Sequence, residues 1–93
     1  TKNIIKVPAI HLSDIINSRV DFLKMDIEGA VLEVIEEAEN KLGFVETIIM
    51  EFHPSKKTPL SQLEKIREIL QSHKFSIKEH QVDWAIFVNA TRN

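Results

Sequence analysis

Apolar and polar positions along the chain follow two rhythms, one with the period of strands and one with the period of helices. Phe22, Leu23, Met25 and Ile27 form a short apolar run within Val20-Asp21-Phe22-Leu23-Lys24-Met25-Asp26-Ile27-Glu28-Gly29-Ala30. Such a nearly unbroken run has the length of one strand and is typical of parallel sheets covered by helices. Gly29 suits the tight corner from that strand into a helix. Apolar residues then recur at Val31, Val34, Ile35, Ala38 and Leu42, one face of an α-helix, with Gly43 placed as its C-terminal stop. Thr47 to His53 predicts a second buried strand ended by Pro54. Leu63, Ile66, Ile69 and Leu70 predict a second helix from about Leu60 to His73. Its start has two candidates, Pro59 at the first helical position behind Thr58, or the capping box Ser61-Gln62-Leu63-Glu64.

The flanks are read the same way. Ile4 to Leu12 has strand composition, but Pro8 lacks a ladder donor, so an edge strand or a bulged one is expected. Ser13 or Asp14 would cap a short helix through Ile15 and Ile16, and Asn17-Ser18-Arg19 would turn into the next strand. Phe75 to His80 alternates, whereas Trp84 to Val88 is apolar throughout. Only Gln81, Val82 and Asp83 separate them, which is too few for a parallel crossover, so an antiparallel hairpin is expected. The second strand would lie inside the sheet, buried on both faces with Trp84 in the core, and the first at its edge. Strand, helix, strand implies parallel pairing through a right-handed crossover. The whole reads as an α/β fold.

Composition narrows the function classes. A chain of 93 residues makes one small domain, and its hydrophobic content of 43% and charged content of 28% are those of a soluble globular protein. A net charge of −2 gives no reason to expect nucleic acid or an anionic membrane as partner. No apolar run approaches a membrane span and no signal-peptide pattern is visible. With no cysteine there is no disulfide framework, which is compatible with the cytoplasm. The first residue is Thr1 rather than Met, as expected of a chain that is processed, trimmed or cut from something larger.

In open α/β sheets ligands bind outside the carboxyl ends of the strands, which puts Asp26 and Glu28 where chemistry is expected. Strand alternation sets Phe22, Lys24 and Asp26 on one face, with Lys24 able to carry its ammonium toward Asp26. Glu51 and His53 share one face at the end of the neighbouring strand. His53 is the natural group to take a proton near neutral pH. Each has a plainer explanation: an ion pair closing a strand end for Asp26 and Lys24, a favourable helix dipole for Glu28, a loop residue for His53. Asp26, Glu28, Glu51 and His53 could also offer ligands to a divalent metal, but their spacing matches no known metal signature and none is assigned. His11, His73 and His80 are read as solvent-facing.

The segments Val7-Pro8 through Leu12-Ser13-Asp14, Val20-Asp21-Phe22-Leu23-Lys24-Met25-Asp26-Ile27-Glu28-Gly29-Ala30, Glu33-Val34-Ile35 and Ile49-Met50-Glu51-Phe52-His53 resemble the C-terminal half of FkbM-family methyltransferases. The resemblance implies a partial Rossmann-like class I methyltransferase sheet, with parallel strands, crossover helices and a terminal antiparallel hairpin. Residues 1–93 would then be a single domain lacking the N-terminal cofactor-binding half. It implies an S-adenosylmethionine-dependent transfer, an O-methylation of a small molecule or sugar, with Asp26, Glu28, Glu51 and His53 as catalytic candidates. The family holds its cofactor with a glycine-bearing turn after the first strand and an acid after the second. Neither Gly29 nor Gly43 sits in such a turn, so no residue here is assigned to the cofactor and the chain alone is expected to bind it weakly and to be inactive. Val31 also stands where the family usually has a second acid.

A reading from another class is a non-enzymatic half-domain or remnant. With the N-terminal half absent, the Val20 strand would show an open edge that pairs with a second copy or with a complementing half. A third is a metal-dependent hydrolase built on the same four acidic and imidazole groups.

Overall fold

The computed structural model describes residues 4–7, 13, 16–25 and 31–92. Five strands form one mixed sheet. In chain order the elements are β1 (Ile4–Val7), β2 (Val20–Met25), α1 (Val31–Glu37), a 3₁₀ segment (Glu39–Phe44), β3 (Val45–Phe52), α2 (Leu60–Ser72), β4 (Phe75–Val82) and β5 (Ala85–Arg92). The spatial order is β1-β2-β3-β5-β4. β1 and β3 both run parallel to β2, with Lys24 beside Ile49, and β5 lies antiparallel between β3 and β4. The α/β class, the parallel β2–β3 pair and the hairpin that folds its last strand inward are therefore as expected.

Several expectations change. The Val20 strand is not open along its Phe22–Met25 stretch, because β1 pairs with it from Ile4 opposite Phe22 to Val7 opposite Met25; among the described residues the outer strand on that side is the four-residue β1. Gly43 does not stop the first helix. That helix leaves α geometry at Ala38, whose N–H makes a last bond to the Val34 carbonyl, and a 3₁₀ segment carries the chain on through Gly43 to Phe44. α2 begins with neither proposed cap: Pro59 itself, with φ −70° and ψ 161°, is the N-cap residue, and no side chain caps it. Trp84 is not core. It lies at the two-residue tip of the β4–β5 hairpin, 87% exposed, beside Asp83 in the left-handed region at φ 55°. Of the short helix expected after Ser13, residues 14 and 15 lie outside the described residues.

The core lies on one face of the sheet. Leu23, Met25, Ile48, Met50, Phe52, Ile86, Val88 and Ala90 point to it and meet Val31, Val34 and Ile35 of α1 and Leu63, Ile66 and Leu70 of α2. The two helices touch each other over that face. On the other face of β2, β3 and β5, Lys24, Phe87 and Asn89 are exposed and Phe22, Ile49 and Glu51 half-buried. β5 is thus buried on one face and not on two, since no described helix covers the second.

Polar groups close the periphery. Arg92, at the end of β5, donates hydrogen bonds to the carbonyl oxygens of Leu42, Val45 (3.1 Å) and His73 (2.7 Å), and its guanidinium stacks 4.6 Å from the Phe75 ring. A cation thus sits where the 3₁₀ segment and α2 present unsatisfied C-terminal carbonyls. Arg67 of α2 donates two bonds to the Glu79 carboxylate of β4, at 2.5 and 2.7 Å. These bonds raise the Arg67 pKa above its usual value.

Candidate functional site

The carboxyl ends of the parallel strands β2 and β3 lie side by side, as the strand pattern demands. Along β3, Ile49 and Glu51 fall on the open face because side chains two apart share a side. Lys24 of β2 faces the same way beside Ile49, and Phe87 of β5 stands opposite Glu51. Together with Met25 and Met50 these residues line a cleft of about 270 Å³. Lys24 is exposed and has no ion pair with any described residue.

At its rim, His53 Nε2 lies 3.2 Å from Glu51 Oε2. An ionised carboxylate can only accept, so a neutral His53 donates its Nε2–H and leaves Nδ1 as an acceptor. Glu51 thereby selects the tautomer and orients the ring, the role a carboxylate plays behind a histidine base. Both side chains are open to solvent, 39% for Glu51 and 47% for His53, so the pair adds little to stability and remains accessible.

The backbone of His53 is held from below. Thr58, buried, donates from Oγ1 to the His53 carbonyl at 2.7 Å. Ser55 and Thr58 exchange backbone bonds of 3.0 and 3.2 Å, and their hydroxyls are 2.8 Å apart. This turn fixes where the chain leaves β3, and with it the ring at the rim.

Of the four residues expected to act together, the structure brings Glu51 and His53 into contact. Asp26 and Glu28 lie outside the described residues, as does any pairing of Asp26 with Lys24. Among the described residues no group of three or more His, Asp or Glu could hold a metal ion. No helix among them is long and apolar enough to cross a membrane. His73, expected to face solvent, is half-buried: its ring is 3.1 Å from the Glu39 carboxylate and its carbonyl accepts from Arg92. Phe87 and Thr58 were not anticipated as site residues. Phe87 enters through the register of an antiparallel strand distant in sequence, and Thr58 through a turn without helical or strand period. Its placement two residues before α2 was the one signal available.

The model of the FkbM methyltransferase domain matches residues 1–77. The chain belongs to the FkbM methyltransferase family. The matched span contains β1 to β3, both helices and the start of β4, hence every site residue above except Phe87. None of the curated proteins matches the chain. Methyltransferases of this family generally use S-adenosylmethionine, and the described residues can be tested against it. The glycine among them, Gly43, lies in the 3₁₀ segment ahead of β3 with open space where a Cβ would stand, and forms no turn after a strand. Among the described residues there is thus no glycine-bearing turn after a strand of the kind expected to hold that molecule.

Proposed function

We propose that this chain forms the acceptor-facing, C-terminal part of a class I, Rossmann-like S-adenosylmethionine-dependent methyltransferase domain that methylates an oxygen of a small molecule or sugar. The observation that carries the reading is the Glu51–His53 pair, 3.2 Å apart, at the carboxyl end of a parallel strand in a member of the FkbM family. Methyl transfer to a hydroxyl requires that the hydroxyl lose its proton as it reacts. His53 takes that proton at Nδ1, and Glu51 stabilises the imidazolium that forms. A positioned base of this kind contributes about 10²–10⁴ in rate. Asp26 and Glu28, which lie outside the described residues, stay catalytic candidates through the family resemblance alone, and cofactor binding is assigned to segments other than the described ones.

Two measurements test it. In a domain competent for transfer, His53→Gln lowers turnover by about 10²-fold or more and leaves folding unchanged; retained turnover sinks the role of His53. Isothermal titration of these 93 residues with S-adenosylmethionine is expected to show at most weak binding. Micromolar affinity would refute the assignment of the cradle to other segments.

A non-enzymatic reading is favoured by a different observation, the sheet face on which Phe87 and Ile49 are left partly open. A half-domain that works by association would cover that face or extend the sheet at β1. Sedimentation at several concentrations separates the two: self-association supports the second reading, and a monomer at high concentration removes it.

A further inference from the structure

We propose that the cleft beside the Glu51–His53 pair selects an acceptor built on a single flat ring that carries a hydroxyl at one end and a carboxylate at the other. The inference rests on the reading of that rim as acceptor-facing and specifies what the rim accepts. Lys24 and Glu51 lie on the same open face, on adjacent strands and displaced along them by two residues, since Lys24 is paired with Ile49. With strands about 4.8 Å apart and about 3.4 Å per residue, their Cα atoms are separated by about 8 Å. The two side chains rise from adjacent strands with Ile49 between them, so a ring substituted at opposite ends can lie across the floor with one end at each. The half-buried Ile49 forms the floor under it, and the Phe87 ring, opposite Glu51 across β5, forms the wall.

The chemistry of the lining decides the class. Its walls are mostly apolar and aromatic, so a flat apolar body is stabilised there by burial and ring contact. One ammonium, without an ion-pair partner among the described residues, offers a monoanion its charge-assisted hydrogen bond. Among the described residues the lining contains a single cation and one carboxylate, which disfavours a dianionic phosphate because Glu51 repels the second charge. With the carboxylate on Lys24, the far hydroxyl points along β3 to Glu51 and His53, where its proton is to be taken.

The test is an NMR titration of the chain with 4-hydroxybenzoate, observing the Ile49 methyl groups and the backbone amides of Lys24 and Glu51, against the neutral 4-hydroxybenzamide and the non-aromatic anion glucuronate. 4-Hydroxybenzoate should shift all three reporters and bind at least about fivefold more tightly than either comparison compound. Lys24→Gln should abolish the difference between the benzoate and the benzamide, whereas Phe87→Ala should weaken both. Lys24 and Phe87 are exposed, so both variants keep the native spectrum away from the cleft, the buried Met25 and Met50 methyl groups included. Reporters that do not move, equal affinities among the three compounds, or a charge preference that survives Lys24→Gln would each overturn the proposal. The titration involves no cofactor and no proton transfer. Binding with no methyl transfer in a competent domain therefore counts against the His53 role alone, and transfer without binding of the probe counts against this inference alone.

Discussion

The two faces of the sheet differ more than the two ends of the chain do. On the helix side, Leu23, Ile48, Leu63, Ile66 and Leu70 are fully enclosed. On the other side the same strands display Lys24, Ile49, Glu51 and Phe87 around an open cleft. One face holds the molecule together, and the other stays open among the described residues. A single short strand such as β3 serves both, because successive side chains point to opposite sides. Stability and candidate chemistry can therefore be altered almost independently, residue by residue, along one strand.

Mutations can break or sharpen that contrast. The largest effect is expected from Leu63→Ala, which leaves a cavity under the helices and should cost about 3 kcal/mol in chemical denaturation. Phe87→Ala on the open face should cost about 1 kcal/mol or less in the same experiment. If the two costs were similar, the division between a packed face and an open one would fail. Arg92→Met comes next, at about 2 kcal/mol, because three carbonyls at the ends of the 3₁₀ segment, α2 and the start of β3 lose a shared charged donor. Arg92→Lys keeps the charge but not the fork, and should recover only part of this in thermal melts.

Thr58→Val should cost about 1 kcal/mol, by removing the bond to the His53 carbonyl. Its sharper consequence is at the rim: the Nε2 resonance of His53 should broaden or move, while the Leu63→Ala variant leaves it unchanged under native conditions. An unmoved His53 signal in Thr58→Val would show that the turn does not position the ring. The smallest effect is expected at Trp84→Ser, within about 0.5 kcal/mol, since the indole is 87% exposed at the hairpin tip. A large loss there would mean that Trp84 is covered in solution, and would strengthen the associating half-domain reading.

Much of this was readable from residue order. The apolar runs placed β2, β3 and α2 nearly where they lie, and the three-residue gap before Trp84 already demanded a hairpin. Alternation alone put Glu51 and His53 on one side. Trp84 to Val88 misled because an apolar run reports composition and not cover: Phe87 is on a face that no described helix closes. Gly43 misled for a related reason. The chain leaves α geometry at Ala38 to bring Leu42 into the core, and Arg92, 50 residues later, satisfies the carbonyl there.

Local pattern thus decided what each segment is, the strands by apolar runs and the helices by their 3.6-residue period, since these depend on neighbours within one or two turns. It also carried the family likeness, concentrated around Lys24 to Ala30 and Ile49 to His53. Register, cover and clamping were beyond it. That Phe87 stands against Glu51, that Arg92 closes three carbonyls and that one face stays open all depend on contacts between residues far apart in the chain. Such contacts form only when the sheet assembles, and their free energy leaves no periodic trace in the order of residues.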